Sequence, residues 1–125
     1  MRRSGTHWQS FSQTDLRSLV ERERSRSQRY NIRSCLVVFD LSKAMRPGKK
    51  AVALLRGLSR RVRTADSIGR LSEEMIGLLL PATGLAGAGK VVRDVLESWR
   101  REEAPLCTIH CYPERNAVVL EEPTA

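Results

Sequence analysis

The spacing of apolar residues along the chain alternates between helical and strand periods. Leu16, Leu19 and Val20 recur at i, i+3 and i+4, which predicts an amphipathic helix that begins near Thr14. The next segment, SCLVVFD over Ser34–Asp40, is a short continuous apolar run rich in β-branched residues. Such a run is typical of a strand that is buried on both faces. The chain is therefore expected to open with a helix and a buried strand.

A second helical pattern follows the chain break at Pro47 and Gly48. Its apolar residues are expected to face the core and its cationic residues to face solvent. The apolar stripe is predicted to be Val52, Leu55, Leu58 and Val62, and the cationic face Lys49, Lys50, Arg56, Arg60 and Arg63.

Two apolar segments with a polar break between them predict a β-hairpin over residues 67–80. The first strand ends at the break, where Ser72, Glu73 and Glu74 form the turn, and the second strand begins at Met75. This hairpin is the clearest local signal in the sequence.

The last third of the chain predicts one more helix and two strands. A helical stripe that ends in Trp99 covers residues 86–101, and Pro105 is expected to stop this helix. The segment LCTIHCY over residues 106–112 alternates between two faces, as a strand does. A further edge strand is expected over residues 117–120.

The predicted order is a helix followed by β-α-β-β-α-β, the split βαβ arrangement of ferredoxin-like folds. We therefore expect an α/β fold of the α+β sandwich type, with an antiparallel sheet and helices on one or both of its faces. In that topology the first strand lies beside the third and antiparallel to it. Asp40, at the end of the first strand, should then meet Glu73 and Glu74 at one edge of the sheet.

Length and composition favour one domain. The 125 residues suffice for a single core, which we assign to residues 14–120, with a flexible tail at 1–13 and another at 121–125. No apolar run approaches the roughly 18 residues that span a bilayer, and no signal-peptide core follows the first residues. The three cysteines are an odd number within apolar segments. A reduced protein in the cytoplasm is the resulting expectation.

The formal net charge of +8 raises the question of an anionic partner. The basic residues concentrate in 17–33 and 43–63, on segments with helical periodicity. Solvated helix faces explain this pattern, and an acidic partner or anionic ligand is the alternative. Because few aromatic residues lie between the basic ones, nucleic acid is the less favoured partner.

Two candidate sites are tested against simpler interpretations. Asp40 with Glu73 or Glu74 would suit Mg²⁺ held together with a nucleotide phosphate, although a strand end and a solvated turn explain the same residues.

The segment GLAGAGK over residues 84–90 nearly matches a phosphate loop. Val91 stands where that loop needs Ser or Thr, so a loop and a helix start are the expected roles.

A zinc site at Cys107, His110 and Cys111 is not expected. Strand alternation places His110 on the opposite face from both cysteines.

The segment TADSIGRLSEEMIGLLLPAT resembles the core of diguanylate cyclase (GGDEF) domains. The family's lead into its signature turn is Arg-x-x-Asp-x-(Ile/Val)-x-Arg-Leu, and Arg63, Asp66, Ile68, Arg70 and Leu71 match it. The strand LCTIHCYP is similar to a later strand of the family, and the likeness covers roughly residues 14–113. The resemblance implies a nucleotide-cyclase-like fold.

The signature turn itself departs from the family. Ser72, Glu73, Glu74, Met75 and Ile76 occupy it, so both glycines that admit the GTP phosphates are replaced. Met75 stands at the catalytic-turn glutamate. By the resemblance, Asp40 and Glu74 still match the two metal-binding acidic positions of the family. The asparagine and aspartate that hold the guanine have no counterpart.

The departures imply a catalytically inactive, degenerate GGDEF-like domain with a regulatory or scaffolding role and no cofactor. Its partner would be another protein or a fused domain, and a homodimer is left open. A weaker likeness connects it with segments beside bacterial sugar-phosphate transferases. One alternative is a divergent domain that binds Mg²⁺ with GTP or a cyclic dinucleotide, and another is a basic nucleic-acid-binding module. Anion contacts in the nucleotide alternative would be Lys43, Lys49, Lys50 and Lys90.

Overall fold

The computed structural model describes residues 10–113 and 117–120. The element order confirms the predicted helix, the split βαβ arrangement and the edge strand at the end. The elements are β1 (Ser10–Phe11), α1 (Gln13–Tyr30), β2 (Ser34–Asp40), α2 (Pro47–Arg61), β3 (Ser67–Ser72), β4 (Met75–Pro81), α3 (Leu85–Leu96), β5 (Leu106–Tyr112) and β6 (Ala117–Leu120), with a 3-10 turn at Arg101–Glu103.

The strands form one sheet in the order β1-β3-β4-β2-β5-β6. β2 lies between β4 and β5 and is antiparallel to both, as the ferredoxin-like topology predicts. β1 is parallel to β3 and pairs Ser10 with Ile68. The expected N-terminal tail is therefore too long at its inner end, because residues 10–13 belong to a strand and a helix start. The other residues of the two predicted tails, 1–9 and 121–125, lie outside the described part of the chain.

Side chains alternate between two cores along the central strand. Cys35, Val37 and Phe39 belong to a cluster with α2 and α3, whereas Leu36 and Val38 belong to a second cluster with α1. This alternation follows from the period of two in a strand. It explains why the sequence of β2 is a continuous apolar run: helices cover both faces of the sheet.

The bounds of α1 are set by two local signals. At its start, the Ser12 side chain accepts a hydrogen bond from the Asp15 N–H at 3.2 Å, which satisfies one free donor of the first turn. At its end, Asn31 adopts a left-handed conformation with φ of 57°, a role that asparagine tolerates well. Leu16 and Val20 are buried, as predicted.

The predicted core stripe of α2 is confirmed at three of its four residues: Leu58 is buried, and Leu55 and Val62 are partly buried against the same core. Ala51, Leu54 and Leu58 are buried, whereas Val52, predicted to face the core, is 48% exposed. Ala51 and Leu54 take the place of Val52 in the core that α2 shares with α3 and the sheet. The last helix also ends earlier than predicted, at Leu96.

None of the helices in the described residues is both long and apolar enough to cross a membrane.

Candidate functional site at the hairpin turn

Asp40 and the hairpin turn lie at the same edge of the sheet. Asp40 is the register partner of Met75 across β2 and β4. One residue further, the Leu41 N–H donates to the Glu74 carbonyl at 2.8 Å. The predicted proximity of the strand end and the turn is therefore confirmed.

The Asp40 carboxylate has a local structural role. Its Oδ1 accepts a hydrogen bond from the Ser42 N–H at 2.8 Å, the geometry of an Asx turn, in which a side chain directs its own backbone out of the strand. Glu73 and Glu74 are exposed. No group of three or more metal-ligand side chains gathers in the described residues. The assignment of Asp40 and Glu74 as metal ligands stays a prediction.

The turn is closed by hydrogen bonds within the hairpin. Arg70 donates from Nη1 to the Glu73 carbonyl at 3.0 Å, and the Glu74 N–H donates to Ser72 Oγ at 3.3 Å. The register shifts between Arg70 and Ser72, which marks an irregularity in the strand before the turn. One carbonyl and one N–H of the turn are thus occupied by side chains of the same hairpin.

The turn contains no residue in a glycine-like conformation. Within the described residues, the non-glycine positions with positive φ are Asn31, Arg46 and Ala82, all outside the turn. The turn therefore forms with ordinary side chains and needs no glycine. Two carboxylates would suffice for Mg²⁺ that arrives with phosphates. Every position of this turn carries a side chain, where the resemblance expects two glycines.

The residue after the turn is committed to packing. Met75 is half-buried and lies against the α1 cluster, which includes Leu16 and Leu71. The next residue, Ile76, is fully buried in the opposite cluster. At the position where the resemblance expects a catalytic glutamate, this chain therefore has an apolar side chain that helps to hold α1 on the sheet.

Arg63 and Asp66 join the base of the hairpin. Arg63 donates from Nη2 to Asp66 Oδ1 at 2.8 Å, to the Pro81 carbonyl at 3.1 Å and to Thr83 Oγ1 at 3.0 Å. Asp66 also accepts from the Arg63 N–H at 2.8 Å. Hydrogen bonding to Asp66 is the main reason that the pKa of Arg63 is raised, with the attraction of the Asp66 charge adding to it and burial opposing it. This network holds the end of α2 against the end of β4.

The four predicted anion contacts do not form one site. Lys43 is exposed in the turn after β2, and Lys90 is exposed on α3. Lys49 and Lys50 lie together in the first turn of α2, where they line a surface depression of about 480 Å³. The depression is also lined by Ala53 of α2 and by four residues after α3: Ser98, Trp99, Arg100 and Glu103.

Sequence reasoning missed the contribution of Trp99 and Arg100. The sequence pattern places Trp99 on the helical stripe of residues 86–101 and gives Arg100 no role. The early end of α3 turns both residues toward α2. No local pattern signals that turn, apart from the mixed polar sequence SWRREEA that follows Glu97.

The near-match to a phosphate loop forms a plain helix start. Gly84 caps α3 with φ of −91° and no side-chain cap bond. A Cβ at Gly84 would lie 3.4 Å from the Arg33 side chain, so this glycine leaves room for a neighbouring arginine. The predicted role as loop and helix start agrees with this geometry.

The cysteines and His110 occupy opposite faces of β5, as predicted. Cys107 and Cys111 are buried, and burial raises the pKa of the Cys107 thiol to about 12. Burial lowers the pKa of His110. The Sγ atoms of Cys35 and Cys111 lie 3.6 Å apart in the reduced protein. These residues pack in the sheet and do not converge on a metal.

Comparison with known proteins identifies the fold. No family model matches the chain, and no curated protein sequence matches it. Among solved structures, the chain is similar to a DGC protein from Thermotoga maritima, with a TM-score of 0.69, 18% identity and coverage of 85% of this chain and 84% of that one.

Two further similar structures show the fold with a ligand or a partner. The GGDEF domain of DgcB from Caulobacter crescentus, in complex with c-di-GMP, gives a TM-score of 0.62 at 13% identity over 89% of this chain and 78% of that one. The diguanylate cyclase SiaD from Pseudomonas aeruginosa, in complex with its activator SiaC, gives 0.61 at 24% identity over 80% of this chain and 45% of that one. The chain therefore has the fold of GGDEF diguanylate cyclase domains.

Proposed function

We propose that this GGDEF-fold domain is a catalytically inactive regulatory domain that acts by binding another protein or a domain of the same polypeptide. The observation that carries the proposal is the closed hairpin turn. Arg70 and Ser72 occupy its backbone groups, and Met75 is packed against α1. A turn of this kind keeps the scaffold of the fold without an opening for nucleotide phosphates.

Partner binding is consistent with the way this fold is used elsewhere. The SiaD structure contains a diguanylate cyclase bound to an activator protein, and the match covers 45% of that cyclase, so a protein that includes this fold can act together with a protein partner. A fold does not determine function, and a scaffold that loses its site can keep its binding surfaces. The cytoplasm and a place beside bacterial sugar-phosphate transferases belong to the same proposal.

The test is a pair of measurements with nucleotides in the presence of Mg²⁺. The protein is titrated with GTP, ATP and cyclic di-GMP in a calorimeter, and it is incubated with GTP while the products are followed by chromatography. An active diguanylate cyclase serves as the positive control. We expect no binding heat and no cyclic di-GMP, whereas formation of cyclic di-GMP would refute the proposal.

Nucleotide binding without catalysis is the second candidate. It is favoured by Asp40 and Glu74, which share an edge of the sheet, and by the DgcB domain, which holds c-di-GMP. Saturable heat that requires Mg²⁺ and disappears in Asp40→Ala would support it. Heat that persists in Asp40→Ala would indicate a site elsewhere, and the Arg22→Ala variant on α1 is the control for a loss of one charged side chain.

A further inference from the structure

The outer face of α2 presents a row of cations. Its cations Lys49, Arg56 and Arg60 are exposed at positions i, i+7 and i+11, so they follow one side of the helix. Ala53, at i+4, is exposed between them. The sequence of α2, PGKKAVALLRGLSRR, contains no acidic residue. We call this exposed row, together with Lys50, the α2 surface.

The positive charge of the α2 surface is not neutralised by the fold. Within the described part of the chain, no carboxylate lies within ion-pair distance of Lys49, Lys50, Arg56 or Arg60, and the one ion pair of this helix joins Arg61 to Asp94 at 2.9 Å. On α1, by contrast, Arg24 and Arg26 pair with glutamates of the same helix. A row of cations without neighbouring carboxylates creates a positive potential on this side of the molecule.

A depression of about 480 Å³ continues the α2 surface at its N-terminal end. It is lined by Lys49 and Lys50 from α2, and by Trp99, Arg100 and Glu103 from the segment after α3. Lys50 donates to the Met45 carbonyl at 3.2 Å, which limits the motion of this side chain. Ala53 and Ser98 complete the lining. Because Arg100 pairs with Glu102 at 3.7 Å, Lys49 and Lys50 supply the positive charge of this region.

Apolar side chains are interspersed with these cations. Val52 is 48% exposed on α2, and Met45 is 78% exposed just before the helix begins. Tryptophan, methionine and arginine are among the residues enriched at protein interfaces, whereas lysine is depleted there. A nucleic-acid surface would instead combine the cations with a series of stacking aromatic side chains, which this face lacks among its described residues.

We propose that the α2 surface and the depression beside Trp99 bind an acidic, amphipathic polypeptide segment of the protein partner. Its carboxylates would pair with Lys49, Arg56 and Arg60, and an apolar side chain would enter the depression. The 15 residues of α2 extend about 22 Å, which matches an acidic helix of about the same length. This inference rests on the proposed function and adds the location and the chemistry of the partner.

The experiment uses the full chain labelled with nitrogen-15 and a synthetic peptide of about 15 residues composed of glutamate, aspartate and leucine. Amide shifts locate the bound peptide, and calorimetry gives its affinity. The matched peptide replaces every acidic residue by its amide. A single-stranded oligonucleotide and vesicles that contain phosphatidylserine are titrated in the same buffer.

We expect the acidic peptide to shift amides of α2 and the Trp99 indole, and the amide peptide to bind at least about tenfold more weakly. The double variant Lys49→Glu/Arg56→Glu should lose about tenfold or more in affinity. Arg22→Glu/Arg29→Glu, which makes the same charge change on exposed positions of α1, should lose less than about threefold.

Three results would overturn the inference. Shifts spread equally over α1 and α2 would indicate a charge effect without a site. Equal losses of peptide affinity in the α2 and α1 double variants would also indicate a charge effect without a site. Binding of the oligonucleotide or the vesicles in preference to the peptide would assign the surface to a different partner. None of these results involves nucleotide turnover, so they leave the test of the proposed function independent.

Discussion

The carboxylate of Glu23, in the middle of α1, accepts a hydrogen bond of 2.6 Å from the hydroxyl of Ser34, the first residue of β2. Both residues are buried, and Glu23 also pairs with Arg26 at 3.2 Å. The bond connects the added N-terminal helix to the central strand. A hydrogen bond is directional, so it fixes the position of α1 on the sheet more narrowly than the apolar contacts of Leu16 and Val20 do.

Glu23→Ala should destabilise the protein by about 2 kcal/mol. The substitution removes a charge-assisted hydrogen bond and leaves the buried Ser34 hydroxyl without this acceptor. Urea unfolding followed by circular dichroism measures the change. Glu21→Ala is the matched control, because its ion pair with Arg24 is exposed to solvent and should contribute less than about 0.5 kcal/mol. Equal losses in the two variants would contradict the structural role of Glu23.

Gly77→Ala should also destabilise the protein, by about 1–3 kcal/mol, because the added methyl group would overpack the site. A Cβ at Gly77 would lie 2.9 Å from both Leu16 Cδ2 and Leu71 Cδ1. Gly48→Ala is the comparison: nothing lies within 4 Å of its Cβ, and alanine in a helix should stabilise by about 0.5–1 kcal/mol. Urea midpoints of the two variants should move in opposite directions, and a shared direction would contradict the packing at Gly77.

The strand and hairpin positions were predictable because their signals are local. The run SCLVVFD is apolar because helices cover both faces of β2, and the polar break at Ser72 to Glu74 coincides with the turn. The core face of α2 was predictable at Leu58 but not at Val52 and Leu54. Both of these residues are apolar, and the burial of Leu54 depends on its packing in the cluster formed with α3 and the sheet.

One part of the candidate site was predictable from the order of the elements. Topology alone brought Asp40 to the hairpin turn, and the structure agrees. The bond from Arg70 to the Glu73 carbonyl depends on an irregular register that the sequence does not announce. The depression joins Lys49 and Lys50 to Trp99 and requires residues about 50 positions apart. Such a contact has no local pattern.

Stability should decrease as the pH falls below 6.5, in part because of His110. Burial lowers the pKa of His110 below its ordinary value of 6.5, so the unfolded chain binds the proton more readily than the folded one. The contribution of this group is complete above pH 6.5 and declines as the pH falls toward the folded-state pKa. The free energy of unfolding, measured with urea at about pH 7.5 and 5.5, should differ less between the two pH values in His110→Gln than in the unsubstituted protein. His7→Gln measures the share of the other histidine, and an unchanged difference in His110→Gln would contradict the assignment.

Cys107 should react with thiol reagents only after unfolding. Burial raises the pKa of this thiol from 9.0 to about 12, so only about one molecule in 10⁴ carries the reactive thiolate at pH 8. Ellman's reagent should label Cys107 slowly in the native protein and rapidly in guanidinium chloride. Peptide mapping by mass spectrometry identifies the labelled residue. Rapid native labelling of Cys107 would show that β5 opens at this position.

Lys49→Glu should make the folded protein more stable while it weakens partner binding. The first turn of α2 contains cations and no acidic residue, and its cap, Arg46, has φ of 54° and makes no side-chain cap bond. A carboxylate at Lys49 would interact favourably with the helix dipole and contribute about 0.5 kcal/mol. The gain should shrink in high salt, and Arg56→Glu, in the middle of the helix, should show no such gain. Urea unfolding at two salt concentrations measures both variants. If Lys49→Glu instead lowers stability, Lys49 contributes to folding. A contribution to folding would then explain the lysine without a binding role.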